Sequence, residues 1–131
     1  MGWLLDTNML IFAARDRPRE VRRRLQQVSP DDVAVSSIAI AELWYGAEKS
    51  EDPPKKREAW RKFLEPYTVL PFDRAAAEEH ARLRFQLRHA PIGERDLLVA
   101  AIAIANGLEV VTHDVAEFSR VPGLSVEDWS R

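Results

Sequence analysis

Gly2-Trp3-Leu4-Leu5-Asp6-Thr7-Asn8-Met9-Leu10-Ile11-Phe12-Ala13-Ala14 reads as a short apolar strand, a carboxylate and the start of a helix. Trp3 to Leu5 forms the strand, Asp6, Thr7 and Asn8 are helix-capping residue types, and the apolar run from Met9 to Ala14 continues as helix. The rest of the chain repeats this alternation. Pro18 suits a first helical turn, and Arg19 to Val28 carries the next helix before Ser29-Pro30-Asp31-Asp32 turns the chain. Val33 to Val35 reads as a strand, Ser36 and Ser37 cap a helix running to Gly46, and Pro53-Pro54 opens a charged amphipathic helix through Leu64. Thr68 to Phe72 is a strand, and Asp73 caps a long helix from Arg74 to His89 that Pro91-Ile92-Gly93 breaks. Glu94 to Asn106 is apolar on most sides and is predicted to lie buried between layers, with Asn106-Gly107 as its stop. Leu108 to Val111 and Leu124 to Val126 supply two further strands.

Short buried strands separated by helices predict an α/β layer structure with a mainly parallel sheet. The length of 131 residues suits a single domain, residues 1–131, with one substantial core. With 46% hydrophobic and 31% charged residues, the composition is that of a folded globular chain. The absence of cysteine excludes disulfide scaffolds, thiolate metal sites and thiol catalysis. No basic n-region precedes the short apolar run at the N-terminus, and the longest later run, Leu97 to Ala105, is too short to span a bilayer. A cytoplasmic, soluble protein is the expectation.

Four acids stand where apolar residues are normally found. Asp6 ends an apolar strand, Glu42 interrupts Ile38-Ala39-Ile40-Ala41-Glu42-Leu43-Trp44, Asp96 opens Leu97-Leu98-Val99-Ala100-Ala101-Ile102, and Asp114 follows Leu108-Glu109-Val110-Val111. An unpaired charge drawn toward a core or cleft is disfavoured unless a cation or hydrogen bonds compensate it. In open parallel sheets the site lies beyond the carboxyl ends of the strands, where Asp6 and Asp114 are predicted. Glu42 shares a helix stripe with Ile38, Ala41 and Tyr45, expected to face a packing partner, and Asp96 shares a face with Val99, Ala100 and Ala103 that pulls it inward. Four elements thus carry carboxylates toward one spot.

Two carboxylates ~5 Å apart at an effective dielectric of ~20 repel by roughly 3 kcal/mol, so six pairings approach ~20 kcal/mol before relaxation. Either some acids are protonated or divalent cations lie between them. An all-oxygen donor set selects Mg²⁺ or Mn²⁺ over Zn²⁺, and such an ion polarises a phosphoryl oxygen and activates water near neutral pH. Phosphodiester hydrolysis needs no protein nucleophile, which agrees with a chain lacking G-x-S-x-G, the P-loop pattern and G-x-G-x-x-G.

The net charge of -2 weighs against a nucleic-acid partner until its distribution is considered. Setting those four aside leaves the remaining acids, of 21 in all, outnumbered by the 19 basic residues. The basic residues cluster at Arg15, Arg17, Arg19, Arg22, Arg23 and Arg24 and again at Lys55, Lys56, Arg57, Arg61 and Lys62, where solvated helix faces are the competing explanation.

Leu4-Leu5-Asp6-Thr7-Asn8, Ala41-Glu42-Leu43-Trp44-Tyr45-Gly46, Asp96-Leu97-Leu98-Val99-Ala100-Ala101 and Val111-Thr112-His113-Asp114-Val115-Ala116-Glu117-Phe118 together closely resemble the PIN-domain nucleases. Within that family the chain is similar to VapC-type toxins of type II toxin–antitoxin pairs, as far as the ending Val121-Pro122-Gly123-Leu124-Ser125-Val126-Glu127-Asp128-Trp129. The resemblance implies a PIN-like three-layer α/β/α sandwich and a Mg²⁺-dependent endoribonuclease cutting transfer or ribosomal RNA loops, with Mn²⁺ as the other candidate ion. It implies Asp6, Glu42 and Asp96 as the principal metal-binding and catalytic acids and Asp114 as the fourth, at a position that is often Asn in the family. Glu117, one turn on, is placed to share or replace that role, and Asn8 and Thr112 resemble the family's amide and hydroxyl that hold waters or neighbouring acids. A homodimer and a cognate VapB-type antitoxin, whose tail aims an Arg or Lys at the acids, are implied as partners.

Structural explanations compete at each position. Asp6 and Asp114 also suit helix caps, Asp96 suits a helix-dipole acid, and Glu42 would be satisfied by a core arginine such as Arg84. The scattered His80, His89 and His113 read as surface or core residues, and Trp44, Tyr45, Trp60 and Phe63 as core or dimer contacts. A non-cleaving module that binds RNA or antitoxin is the alternative function. A phosphatase of the haloacid dehalogenase type also starts with an Asp after a strand, but needs a second Asp where this chain has Asn8.

Overall fold

The computed structural model describes residues 2–131. Its centre is a five-stranded sheet in the order β3-β2-β1-β4-β5, comprising β1 (Trp3–Leu5), β2 (Val33–Ser36), β3 (Thr68–Leu70), β4 (Glu109–Val111) and β5 (Val126–Glu127). Every neighbouring pair is parallel. The chain builds β1, β2 and β3 outward in one direction, then returns to lay β4 against the free side of β1. That reversal opens a crevice at the carboxyl ends of β1 and β4, the customary ligand position in open α/β sheets.

Alternation along the strands divides the core into two. Leu4, Ala34 and Val110 point to one face and pack under α5 (Arg74–Gln86) and α6 (Glu94–Ala105), with Phe118 of the short α7 (Val115–Phe118). Leu5, Val33, Val35 and Val111 point to the other, covered by α1 (Thr7–Arg15), α2 (Arg19–Gln27), α3 (Ser37–Glu48) and α4 (Pro53–Leu64). The result is the three-layer sandwich expected. Its α6 is buried along Leu97, Val99, Ala100, Ala101, Ile102 and Ala103, as its all-round apolar sequence requires.

Boundaries differ from the sequence expectation for local reasons. Pro18 is the N-cap of α2 and not a residue of its first turn. The helix α3 runs through Gly46 to Glu48 because Ala47 is buried and its packing holds the last turn in place. The strand β3 stops at Leu70, short of Phe72, and β5 is only Val126–Glu127, so Leu124 and Ser125 lie in the approach to it. Helix α5 ends at Gln86, three residues before His89.

The Asn106-Gly107 stop is a Schellman motif. Gly107 has φ +66°, its N–H donates to the Ile104 carbonyl at 3.2 Å, and the Leu108 N–H donates to the Ala103 carbonyl at 2.9 Å. This turn sends the chain from α6 straight into β4. Gly107→Ala is expected to cost about 1 kcal/mol, because an L-residue must then hold a left-handed conformation, without moving the acids. Urea unfolding measures the cost.

Candidate active site

Asp6 leaves β1 as the N-cap of α1, its Oδ1 accepting from the Met9 N–H at 3.0 Å. The capping explanation is therefore true and incomplete. The other oxygen, Oδ2, accepts from the hydroxyl of Thr112 at 2.5 Å. Thr112 is fully buried just past β4, and its Oγ1 in turn accepts from the Asp114 N–H at 2.9 Å. One hydroxyl thus ties the end of β1 to the loop that carries the fourth acid. Thr112→Val keeps the shape and removes both bonds. We expect it to weaken divalent-cation binding by roughly 10- to 100-fold, the scale for partners that orient ligands, which a Mn²⁺ titration measures.

Asp96 on the first turn of α6, Asp114 and Glu117 offer one oxygen each, all within 4.8 Å of one another. Glu117 is held by the Gly93 N–H, which donates to its Oε1 at 2.5 Å. That bond keeps the Glu117 carboxyl below the usual range. Its charge stays, and its neighbours respond. Burial and then Glu117 push Asp96 up to about 7, with Asp114 and Asp6 adding to the shift. Asp114 is raised by burial and by its bond to Glu117, and Asp6 by burial, against the lowering effect of Thr112 and the Met9 N–H. This is a cluster that cannot carry all its charges without a counter-ion.

Glu42 reaches the same mouth from α3. Its Oε1 accepts from the hydroxyl of Thr7 at 2.6 Å, and its Oε2 pairs with Arg95 at 2.7 Å. Of the stripe Ile38, Ala41, Glu42 and Tyr45, Ile38 alone packs against the core: α3 buries Ala39, Leu43 and Ala47, Ala41 is exposed, and Tyr45 is 65% exposed beside Lys49. Glu42 is therefore half-buried at the rim. Arg84, the partner considered from sequence, lies instead in a cleft with His80, Glu94, Leu97 and Leu98.

Among the other sequence candidates, Asn8 is exposed and makes no hydrogen bond to these acids among the described residues, Thr7 holding Glu42 in its place. His80 stacks edge-on to Phe72, His89 is exposed, and His113, although next to Asp114 in the chain and close enough to act on its charge, pairs with Asp128 and Ser130. Trp60 is core, Trp44 and Phe63 are half-buried against it, and Tyr45 is left uncovered. The basic clusters are partly consumed by the fold. Arg22 donates to the carbonyls of Ala13 and Ala14, Arg24 pairs with Glu127, and Arg57 with Glu48. Arg15 and Lys56 remain at a cleft of about 240 Å³ that also has Ile11, Ala14, Leu43, Gly46, Trp60 and, at its edge, Glu42.

Sequence reasoning missed Thr7, Arg95 and the Gly93 N–H. The first two stand directly beside Asp6 and Asp96, and that adjacency was the available signal. Nothing in the sequence marks a backbone amide as a ligand for Glu117. The donor set itself fits a hard divalent cation, since the grouped side chains are all carboxylates and burial together with crowding already raises the proton affinity of Asp96 and Asp114. Among the described residues no helix is long and apolar enough to cross a membrane.

Comparisons with known proteins agree with this architecture. The tRNA(fMet)-specific endonuclease VapC of Shigella flexneri is 38% identical over 132 residues, covering 99% of each chain. Ribonuclease VapC2 of Rickettsia felis is 32% identical over the full length of both. In the crystal structure of DNA-bound VapBC from Salmonella typhimurium, a chain 36% identical superposes with a TM-score of 0.90 over 98% of each. The PIN domain family model matches residues 3–124, and the chain belongs to that family.

Proposed function

We propose that this chain is the metal-dependent endoribonuclease toxin of a toxin–antitoxin pair, acting in the cytoplasm on transfer RNA or ribosomal RNA loops. One observation carries the reading. Acids from four separate elements converge at the carboxyl end of a parallel sheet, with Asp96 pushed up to about 7 by burial and by its neighbours. Full-length similarity to VapC ribonucleases supports the chemistry.

Asp6, Asp96 and Asp114 would hold a divalent cation, with Glu42 and Glu117 completing the oxygen set and Mg²⁺ or Mn²⁺ the ions suited to it. When bound, such an ion supplies positive charge to the phosphoryl oxygens and makes water a competent nucleophile near neutral pH. The chain's own residues do the positioning. Thr112 fixes Asp6, Thr7 fixes Glu42, and the Gly93 N–H fixes Glu117, so that the acids are aimed before any ligand arrives. Asn8, which binds none of these acids here, is left the role of an outer water-holding group.

The cleft beside Glu42 pairs apolar walls from Ile11, Ala14, Leu43 and Trp60 with an acid at its edge. It suits an antitoxin tail with apolar side chains and a terminal Arg or Lys, consistent with relatives solved as VapBC complexes. A homodimer would cover exposed apolar groups such as Tyr45 and Phe85, and sedimentation of the purified chain measures it.

The test is incubation of antitoxin-free protein with a transfer RNA pool and Mg²⁺ or Mn²⁺, followed by mapping of fragment 5′ ends. Discrete cuts that vanish on chelation support the nuclease. No cleavage of any RNA under these conditions would favour the non-cleaving binding module.

A further inference from the structure

Arg95 is the residue this reading leaves without a task. It precedes Asp96 on the first turn of α6, and its guanidinium crosses the mouth of the site to Glu42, 53 residues away in sequence. Only one of its nitrogens is engaged there, Nη1 to Oε2 at 2.7 Å, and the side chain is 72% exposed. A guanidinium has five N–H donors in a planar fork that matches carboxylate and phosphate oxygens equally well. Most of that fork faces solvent.

Electrostatics gives this position a purpose. An RNA backbone approaching Asp6, Asp96, Asp114 and Glu117 meets negative charge, and attraction at the mouth must come from a nearby cation. Arg15 and Lys56 line the cleft that has Glu42 at its edge, so Glu42 has cations on both sides, with Arg95 the one in direct contact with an acid of the site. A divalent ion and Arg95 compete for the same Glu42 oxygens. Loading the ion weakens the hold of Glu42 on Arg95 and frees the fork while keeping it within reach of a substrate held at the acids.

We propose that Arg95 is a phosphate-binding residue of this site, parked on Glu42 without metal and released to the RNA backbone beside the scissile bond when a divalent cation takes Glu42 over. The proposal rests on the nuclease reading. It makes metal binding and RNA binding respond to Arg95 in opposite directions. A guanidinium that merely braced Glu42 would, when removed, weaken both.

The experiment compares wild type, Arg95→Ala and Arg95→Lys, with Arg82→Ala as a charge-matched control on α5, where Arg82 pairs with Glu79. Mn²⁺ affinity is measured by calorimetry without RNA. Affinity for bulk transfer RNA is measured in Ca²⁺ at several salt concentrations, with gels verifying that the RNA stays intact. In Arg95→Ala, Mn²⁺ is expected to bind about 3- to 10-fold tighter, while RNA binds about 10-fold weaker with a log–log salt slope smaller by about 1. Arg95→Lys recovers most of the RNA affinity, having kept the charge and lost the fork, and Arg82→Ala leaves Mn²⁺ affinity unchanged and lowers RNA affinity less than Arg95→Ala does. Weakened Mn²⁺ binding in Arg95→Ala, or RNA affinity and slope equal to the Arg82→Ala control, overturns the proposal while leaving an active wild type intact. A wild type that neither binds Mn²⁺ nor cuts RNA overturns the nuclease reading and this proposal together.

Discussion

Asp6→Asn and Asp96→Asn are each expected to lower RNA cleavage by about a thousandfold or more, the scale on which loss of a transition-state charge stabiliser is felt. Neither should unfold the protein. Asparagine is as good an N-cap as aspartate, so Asp6→Asn keeps the bond from the Met9 N–H, and the new amide can donate to Thr112 in place of accepting from it. Removing one negative charge from a crowded set also relieves repulsion, so the variants should unfold at equal or higher urea concentration than wild type in EDTA. Activity and stability then move apart, which separates a functional acid from a structural one. A variant that retains full cleavage removes that residue from the site, and one that loses its folded circular dichroism means that the acid was holding the structure.

The second large effect is a reversal of pH dependence by metal. The Asp96 carboxyl is near 3.8 in the unfolded chain and about 7 in the fold, so the native protein holds the extra proton across that window. Without metal, the stability this proton provides is complete below the lower value and is lost as pH rises through the upper one. Asp6 and Asp114 are raised in the same direction. The loss between pH 4 and 7.5 should be roughly 1–2 kcal/mol, well under the full shift because Asp96 is only half-buried and water screens it, or about 5 °C in melting temperature. With Mn²⁺ present the trend inverts. The ion binds the ionised carboxylates, so its affinity and the melting temperature should both rise with pH through about 7, with proton release that calorimetry in two buffers detects. Parallel melting curves in EDTA and Mn²⁺ across this range would rule out the acids as the ion's ligands.

Much of this molecule was legible in advance because its signals are local. Apolar triplets ending in Asp, Ser or turn residues mark strands, and α6 declares its burial by having almost no polar side. The four acids were visible because each breaks an apolar pattern. What stayed hidden depends on tertiary geometry. The stripe expected on α3 holds only at Ile38, which packs against the core, whereas Tyr45 is left uncovered because Ala39, Leu43 and Ala47 form the buried side of the helix. Arg84 and Arg95 are both arginines on helices that pack against each other, and only the crossing of α5 and α6 decides which one reaches Glu42. The role of Thr7 in place of Asn8 is a matter of one residue's rotation around the first turn of α1.

The return of β4 to the free side of β1 bears on when the molecule can act. Until that strand is laid down, β1 has one bare flank, Thr112 is not yet beside Asp6, and Glu117 has no way to meet Asp96. A growing polypeptide still inside the ribosome therefore has only scattered, hydrated carboxylates. The acid cluster thus comes together late, once the segments carrying β4 and α7 have been synthesised and laid in place.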